Sequence, residues 1–392
     1  MIEIKDTIAA IATPPGKGGI GIIRISGPQS LSIAGVMCDQ TPQARQFQYT
    51  NFKDAYGAIL DKGVVMYFKS PASYTGEDVV ELQGHGGQFI MNAMLQQVLS
   101  YGARLARPGE FTERAYLNDK LDLLQAEAIA DLIESSSEQA AQSAMRSLNG
   151  EFSKRIENLS HELTQVRVFV ESALDFPEEE LEFLRNSDIE TKINKSSELI
   201  NAILLAASSG QMLREGFSAA IVGPPNAGKS SLLNALAQTN KAIVSSLPGT
   251  TRDLIEEKIL INGTPMNVVD TAGIRETADD LELEGIRRTR RAISEADIIL
   301  LVKEARQGKQ ERECSIKSQL PHEKKKIIIY NKIDLLDMRA EYGNEDSADV
   351  EVLLSAKTHE GLDLLKEEIV KVLGLAKEGE ITFNGRSRHI RA

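Results

Sequence analysis

Three successive textures in a chain of 392 residues predict a multidomain α/β protein. Residues 1–118 mix short apolar stretches with glycines and prolines. Residues 119–215 carry apolar side chains at helical spacing, and residues 216–377 alternate strand-like apolar runs with amphipathic segments. At roughly 150 residues per domain the length allows two or three domains, each with its own core.

In the first region the runs at 20–25, 64–68 and 78–82 predict strands, and 87–100 predicts a helix, so an α+β domain is expected. From 119 onward Leu121, Leu123, Leu124, Ala128, Ile129, Leu132 and Ile133 recur with a helical period, with acidic residues between them. Asn149-Gly150 reads as a C-cap, a second helix is expected over 151–174 before Phe176-Pro177, and a third over 178–207. Helices this long and poor in glycine suggest an antiparallel bundle. From 216 the β-type runs 219–222, 297–302, 326–330 and 350–354 alternate with helical patterns, the signature of a doubly wound sheet. Runs 254–261 and 265–269, joined at Asn262-Gly263, predict a hairpin.

Composition excludes several classes. Cys38 and Cys314 are too few and too far apart for a disulfide scaffold or a cysteine zinc motif, and read as small buried residues rather than nucleophiles. No apolar run reaches the roughly 18 residues of a membrane span, and the first six residues lack a signal pattern, so a cytoplasmic protein without membrane contact is expected. The net charge of −12 is concentrated in 121–215, with 8 basic against 18 acidic residues; 1–120 carries 11 of each. An acidic, solvated helical face follows, which argues against a whole-protein grip on nucleic acid, DNA included, through phosphates but leaves room for local basic patches. Arg287, Arg288, Arg290 and Arg291 read as a solvated helix face as well, with contact to a nucleic acid or a partner as the second reading.

The chemistry lies in the last region. Gly223-Pro-Pro-Asn-Ala-Gly-Lys-Ser230 matches G-x-x-x-x-G-K-[ST] between a predicted strand and a predicted helix. Backbone N–H groups around Asn226, Ala227, Gly228, Lys229, Ser230 and Ser231 would cradle phosphates, Lys229 would reach the β/γ-phosphates, and the Ser230 hydroxyl would ligate Mg²⁺. Asp270-Thr271-Ala272-Gly273 ends the next strand with a carboxylate for Mg²⁺ and a glycine N–H for the γ-phosphate. Asn331-Lys332-Ile333-Asp334 ends another, and Ser355-Ala356-Lys357 follows the last. The Asp334 carboxylate suits the N1–H and N2–H₂ edge of guanine, which adenine lacks. Four motifs in this order predict a GTP-binding domain.

Hydrolysis is partly legible. Ile274 stands where Ras-type enzymes place a water-orienting Gln, and the acidic run 279–282 lies nearby. Asn226 and the loop Ser245-Ser246-Leu247-Pro248-Gly249-Thr250-Thr251-Arg252-Asp253 supply oxygens near the phosphates, where a monovalent cation would do the electrostatic work of an arginine finger. By residue type alone Asn226 also suits a turn within the phosphate loop, the second reading. His85, set between glycines, reads as a turn histidine.

Together with these motifs, the runs 13–27 (Thr-Pro-Pro-Gly-Lys-Gly-Gly-Ile-Gly-Ile-Ile-Arg-Ile-Ser-Gly), 81–87 (Glu-Leu-Gln-Gly-His-Gly-Gly), 107–115 (Arg-Pro-Gly-Glu-Phe-Thr-Glu-Arg-Ala) and 117–122 (Leu-Asn-Asp-Lys-Leu-Asp) resemble the MnmE/TrmE family of tRNA-modification GTPases over essentially the whole chain. The resemblance implies an N-terminal tetrahydrofolate-binding-like and dimerisation domain over 1–118 and a helical domain over 119–215. It also implies a G domain over 216–377 inserted in that helical domain, with 378–392 beginning its return. It implies a homodimer working in a heterotetramer with an MnmG-type flavoprotein, the holder of the FAD. Together they add an aminomethyl or carboxymethylaminomethyl group to C5 of the wobble uridine of certain tRNAs, with a one-carbon unit from a 5-formyl or 5,10-methylene tetrahydrofolate.

By the same resemblance, folate contacts fall on Arg24, Glu81 and Lys120. The K⁺ site falls on Asn226, with Ser245, Leu247 and Thr250, and the Mg²⁺ ligands fall on Ser230 and Thr251. The catalytic set is Glu282, which orients water, with Lys229 and Gly273. Arg24 and Lys120 suit a folate glutamate tail, and Glu81 suits pterin N–H groups. The family continues into further helices and a Cys-Ile-Gly-Lys tail, whereas this sequence stops at Ala392, so apolar surface on the middle helices is expected to be exposed or covered by another chain. Lys303-Glu304-Ala305 stands where the family usually has an Asp before a small residue. The alternatives are a regulatory GTPase switch, or a truncated relative that retains only nucleotide cycling.

Overall fold

A computed structural model describes residues 6–175, 189–239, 259–269, 293–306, 321, 324–336, 338–343, 350–375, 382–383, 385–386 and 388. They fall into two compact units, one running to Glu127 and the other starting at Ala128.

The first unit is built on a six-stranded sheet: β1 (Ile8–Ile11), β2 (Gly18–Ser26), β3 (Phe47–Lys53), β4 (Ile59–Phe68), β5 (Val79–Gly86) and β6 (Arg104–Leu105). Their order is β3-β4-β5-β2-β1-β6. Every pairing is antiparallel except β1 with β6. The period-2 pattern of β4 sends Val65 and Tyr67 into the core while alternate residues are less buried. Helices α1 (Ser30–Met37) and α2 (Gln88–Ser100) close that face, with Met91, Met94, Leu95 and Val98 of α2 sharing a core with Ile23, Ile25 and Leu82. A third helix, α3 (Glu110–Leu117), follows β6. His85 lies within β5 and not in a turn, which corrects the sequence expectation. A Cβ on Gly84 would come within 2.3 Å of Asp61 Oδ2, so the glycine beside His85 serves close strand packing.

The second unit joins helices to a sheet. Four helices are described here: α4 (Leu123–Glu134), which begins at the end of the first unit, α5 (Glu138–Leu148), α6 (Glu151–Asp175) and α7 (Ile189–Glu215). Asn149 caps α5 as expected, and Gly150 takes the left-handed conformation. Two expectations are corrected. The run after 121 is not one continuous pattern, because Ser137 starts a new helix, its hydroxyl accepting from Ala140 N at 3.2 Å. The helix expected over 178–207 is seen from Ile189 and continues to Glu215, its residues before Ile189 lying outside the described set. Lys195 of α7 meets Glu162 of α6 at 3.0 Å, and Phe383 stacks on Phe152 at 5.4 Å while its N–H bonds Ala206 O. Positions early in α6 therefore match positions late in α7, an antiparallel pair. Residues beyond the sheet thus return to the helices, where Arg214 and Arg386 both approach the buried Asp131. Val168 and Leu205 are exposed apolar residues of these helices.

The sheet comprises β7 (Phe217–Val222), β8 (Ile259–Ile261), β9 (Thr264–Val269), β10 (Ile298–Glu304), β11 (Lys325–Asn331), β12 (Glu341–Tyr342) and β13 (Val350–Leu353). Its order is β12-β13-β11-β10-β7-β9-β8. The five inner strands are parallel and the two edges antiparallel. Ile298 to Val302 is an unbroken buried run, as expected of a strand covered on both faces. On one face Ile298, Leu300 and Val302 share a core with α8 (Lys229–Thr239) and α9 (Leu362–Leu373), and on the other Ile299 and Leu301 pack with Ala296, Ala305 and Ile333. Asn262 and Gly263, both at positive φ, turn the β8–β9 hairpin. No helix among the described residues is long and apolar enough to cross a membrane.

Candidate functional site

The carboxyl ends of β7, β10 and β11 meet at one edge of the second unit, the place where doubly wound sheets take ligands. β7 ends at Val222, residues 223–228 form a loop, and α8 begins at Lys229. Asn226 is exposed at φ +61 and Gly228 sits at φ +90. A Cβ at position 228 would lie 2.2 Å from Asn331 Nδ2, so only glycine lets this loop close against the neighbouring motif. Lys229 Nζ donates to Gly223 O and Pro224 O, both at 2.9 Å, and burial pushes its ammonium below the ordinary lysine range. Ala227 is buried, while Ser230 and Ser231 are exposed in the first turn of α8. A glycine-hinged loop, a helix N-terminus and a folded-in lysine are the donor set of a phosphate cradle.

Asn331 ties three motifs together. Its Nδ2 donates to Ala227 O at 3.0 Å, and its Oδ1 accepts from Lys332 N at 2.8 Å and Ala356 N at 3.0 Å. Asp334 accepts from Ser355 Oγ at 2.7 Å, and Lys357 is exposed beside them. Lys332 adopts φ +70, and its ammonium lies 3.3 Å from Glu304 at the end of β10. The residues assigned from sequence at 226–231, 331–334 and 355–357 are therefore brought to one place. Ser245, Ser246, Leu247, Pro248, Gly249, Thr250, Thr251, Asp270, Thr271, Ala272, Gly273 and Glu282 lie outside the described residues, as do Arg287, Arg288, Arg290, Arg291 and Cys314.

In the first unit Arg24 and Glu81 are direct cross-strand partners of β2 and β5, joined at 2.8 Å. The Arg24 guanidinium lies 5.5 Å from the Tyr74 ring centre and 5.7 Å from that of Phe111. Lys120 Nζ donates to Pro71 O at 3.1 Å, and its stem packs by Gly76, so the loop bearing Tyr74 links it to Arg24. Tyr74 and Phe111 were not singled out by sequence. Phe111 lies within a signature run, whereas Tyr74 lies in none.

That run, 107–115, has a structural task. Arg114, 2% exposed, binds Asp6 at 2.9 Å, Glu77 at 3.1 Å and Glu110 at 3.2 Å. Arg104 adds bonds to Asp6 and Glu110, both at 2.5 Å. Hydrogen bonds from Arg104, with help from Arg107 N and Arg114, outweigh burial and hold the Glu110 carboxyl at about 2. His85 is held at 2.7 Å by the buried Asp61 carboxylate. Burial pushes the Cys38 thiol up to about 12, in keeping with an inert core residue.

Comparison with known sequences assigns this arrangement. Residues 7–120 match the family described as the GTP-binding protein TrmE N-terminus, and residues 123–392 match the MnmE helical domain. The chain is 50% identical over 392 residues to the tRNA modification GTPase MnmE of Neisseria meningitidis serogroup C (strain 053442), covering all of this chain and 87% of that protein. It is 48% identical over 388 residues to that of Hydrogenovibrio crunogenus, covering 99% of this chain and 86% of that protein. It is 49% identical over 394 residues to that of Saccharophagus degradans, covering 100% of this chain and 86% of that protein. With both family regions matched and a phosphate cradle framed by its partner motifs on a doubly wound sheet, the chain belongs to the MnmE family of GTPases.

Proposed function

We propose that this chain hydrolyses GTP with potassium stimulation. With a flavoprotein partner, that hydrolysis drives addition of an aminomethyl or carboxymethylaminomethyl group to C5 of the wobble uridine of certain tRNAs. The observation that carries the nucleotide part is Asn331, whose amide joins the phosphate loop through Ala227, the base-reading run through Lys332 and the last motif through Ala356. In this reading Asp334, oriented by Ser355, accepts from the guanine edge, and Lys229 turns from the carbonyls of Gly223 and Pro224 to the phosphates. Ser230 and Thr251 would hold Mg²⁺, which when bound would supply charge neutralisation at the phosphate oxygens. Asn226, with Ser245, Leu247 and Thr250, would hold K⁺, and its exposed position at a positive φ suits that role. Glu282 orients the attacking water.

The one-carbon part is proposed for Arg24, Glu81 and Lys120 in the first unit, where Tyr74 and Phe111 offer aromatic faces to a pterin or benzoyl ring. A homodimer would complete the G-domain site without a separate activating protein. The test is GTP turnover by the purified chain in potassium against sodium buffer across protein concentrations. Potassium stimulation that grows with concentration is expected. Turnover indifferent to both would replace this reading with that of a regulatory GTPase switch.

A further inference from the structure

Each polar residue of the run 331–334 has a tether. Asn331 is bonded to Ala227 and Ala356, and Asp334 to Ser355, all of them partners within the recognised motifs. Lys332 is the exception, because its tether, Glu304, belongs to none of them. Glu304 reaches it by strand register. β10 and β11 are parallel with Glu304 opposite Asn331, and Ala305 N bonds Asn331 O at 2.9 Å, so the last residue of one strand stands beside the first residue beyond the other. Lys332 turns off its strand in the left-handed region, a conformation that a side chain with a Cβ rarely adopts and that the surrounding bonds impose.

We propose that Glu304 is a positioning residue for guanine-nucleotide binding. It holds the Lys332 ammonium so that the lysine's four-carbon stem stays extended beside the base site. The proposal rests on the reading of this sheet edge as the GTP site and adds a residue to it from outside the recognised motifs. Two physical points support it. An untethered lysine would lose much rotamer freedom when a base packs along it, and a pre-paired one has already lost it. Both partners are about one-third exposed, at 31% and 30%, so the pair is a modest electrostatic tether on a solvent-facing edge and not a buried element of the fold.

The experiment is titration of the full chain with a fluorescent GDP analogue at low salt, comparing wild type, Glu304→Gln, Lys332→Met and the double variant. Glu304→Gln is expected to weaken binding about two- to fivefold, the range of an exposed ion pair. It should raise KM for GTP with kcat unchanged. The difference should vanish in about 1 M salt, where screening acts within roughly 3 Å. In the Lys332→Met background the same change should do nothing further. Wild-type affinity in Glu304→Gln, or an equal loss with and without the lysine, would overturn the proposal. Failure of the wild-type chain to bind the analogue would overturn the underlying nucleotide-site reading, a result separate from both.

Discussion

Two polar clusters, one in each unit, are built from different materials. In the first unit Arg114 and Glu110 are both 2% exposed and are neutralised by charges drawn from far along the chain, including Asp6 and Glu77. In the second unit Asn331, equally buried, is a neutral amide bonded to backbone atoms of three segments. Buried charge must be matched completely, and once matched it has little left to offer a ligand. An amide satisfies its neighbours at lower desolvation cost and leaves the flanking Lys332 and Asp334 half-exposed at the sheet edge. A signature run rich in charge can therefore be scaffold, while one built around an amide frames a site.

Substitutions can break this contrast, and the largest effect is expected at Arg114. Arg114→Met would strip the Glu77 carboxylate of its cation and leave Glu110 to Arg104 and Arg107, at a cost of about 3–5 kcal/mol in urea unfolding of the full chain. A loss below about 1 kcal/mol would mean the cluster is dispensable. Because Glu110 lies near 2, against an ordinary 4.5, its contribution is complete above the ordinary value and disappears as pH falls toward 2. Asp6 is also depressed, through its bonds to Arg104 and Arg114 working against its desolvation, and acts in the same direction. Acid unfolding of wild type should show this dependence, and that of Arg104→Met, which removes the largest source of the Glu110 shift, should lose most of it.

Next comes Asn331→Ala, which removes three bonds worth roughly 2–4 kcal/mol together and should lower GDP affinity more than tenfold by titration. An unchanged affinity would separate the amide from the site. Arg24→Ala is expected to weaken folate binding by calorimetry about tenfold, the scale of one charge-assisted bond. If affinity held, the assignment of Arg24 to folate would fall. The smallest effect is expected at Cys38, which at about 12 and buried should resist thiol reagents at neutral pH in the folded chain.

Much of this was legible in one dimension. Buried strands such as β10 announce themselves as continuous apolar runs, and Asn262-Gly263 marks its hairpin because few residue pairs accept two positive φ values. The phosphate loop was legible because strand, loop and helix are contiguous in the chain. The break at Ser137 was missed because helical periodicity on both sides masks a cap, whose bond to Ala140 N is a local geometric choice. Tyr74 and Phe111 were missed because a loop and a helix far from β2 in sequence bring them to Arg24.

The sequence by itself determined the periods of the elements, the order of the four nucleotide motifs and the family, since each depends on residues close together along the chain. Tertiary structure alone decided the partners. It made Arg114 a scaffold residue, put Asn331 between three loops, and paired Glu304 with Lys332 through parallel strand register. Charge and hydrogen-bond capacity are written in the residue, but whether they are consumed by the fold or left for a ligand depends on which distant groups the packing brings within about 3 Å.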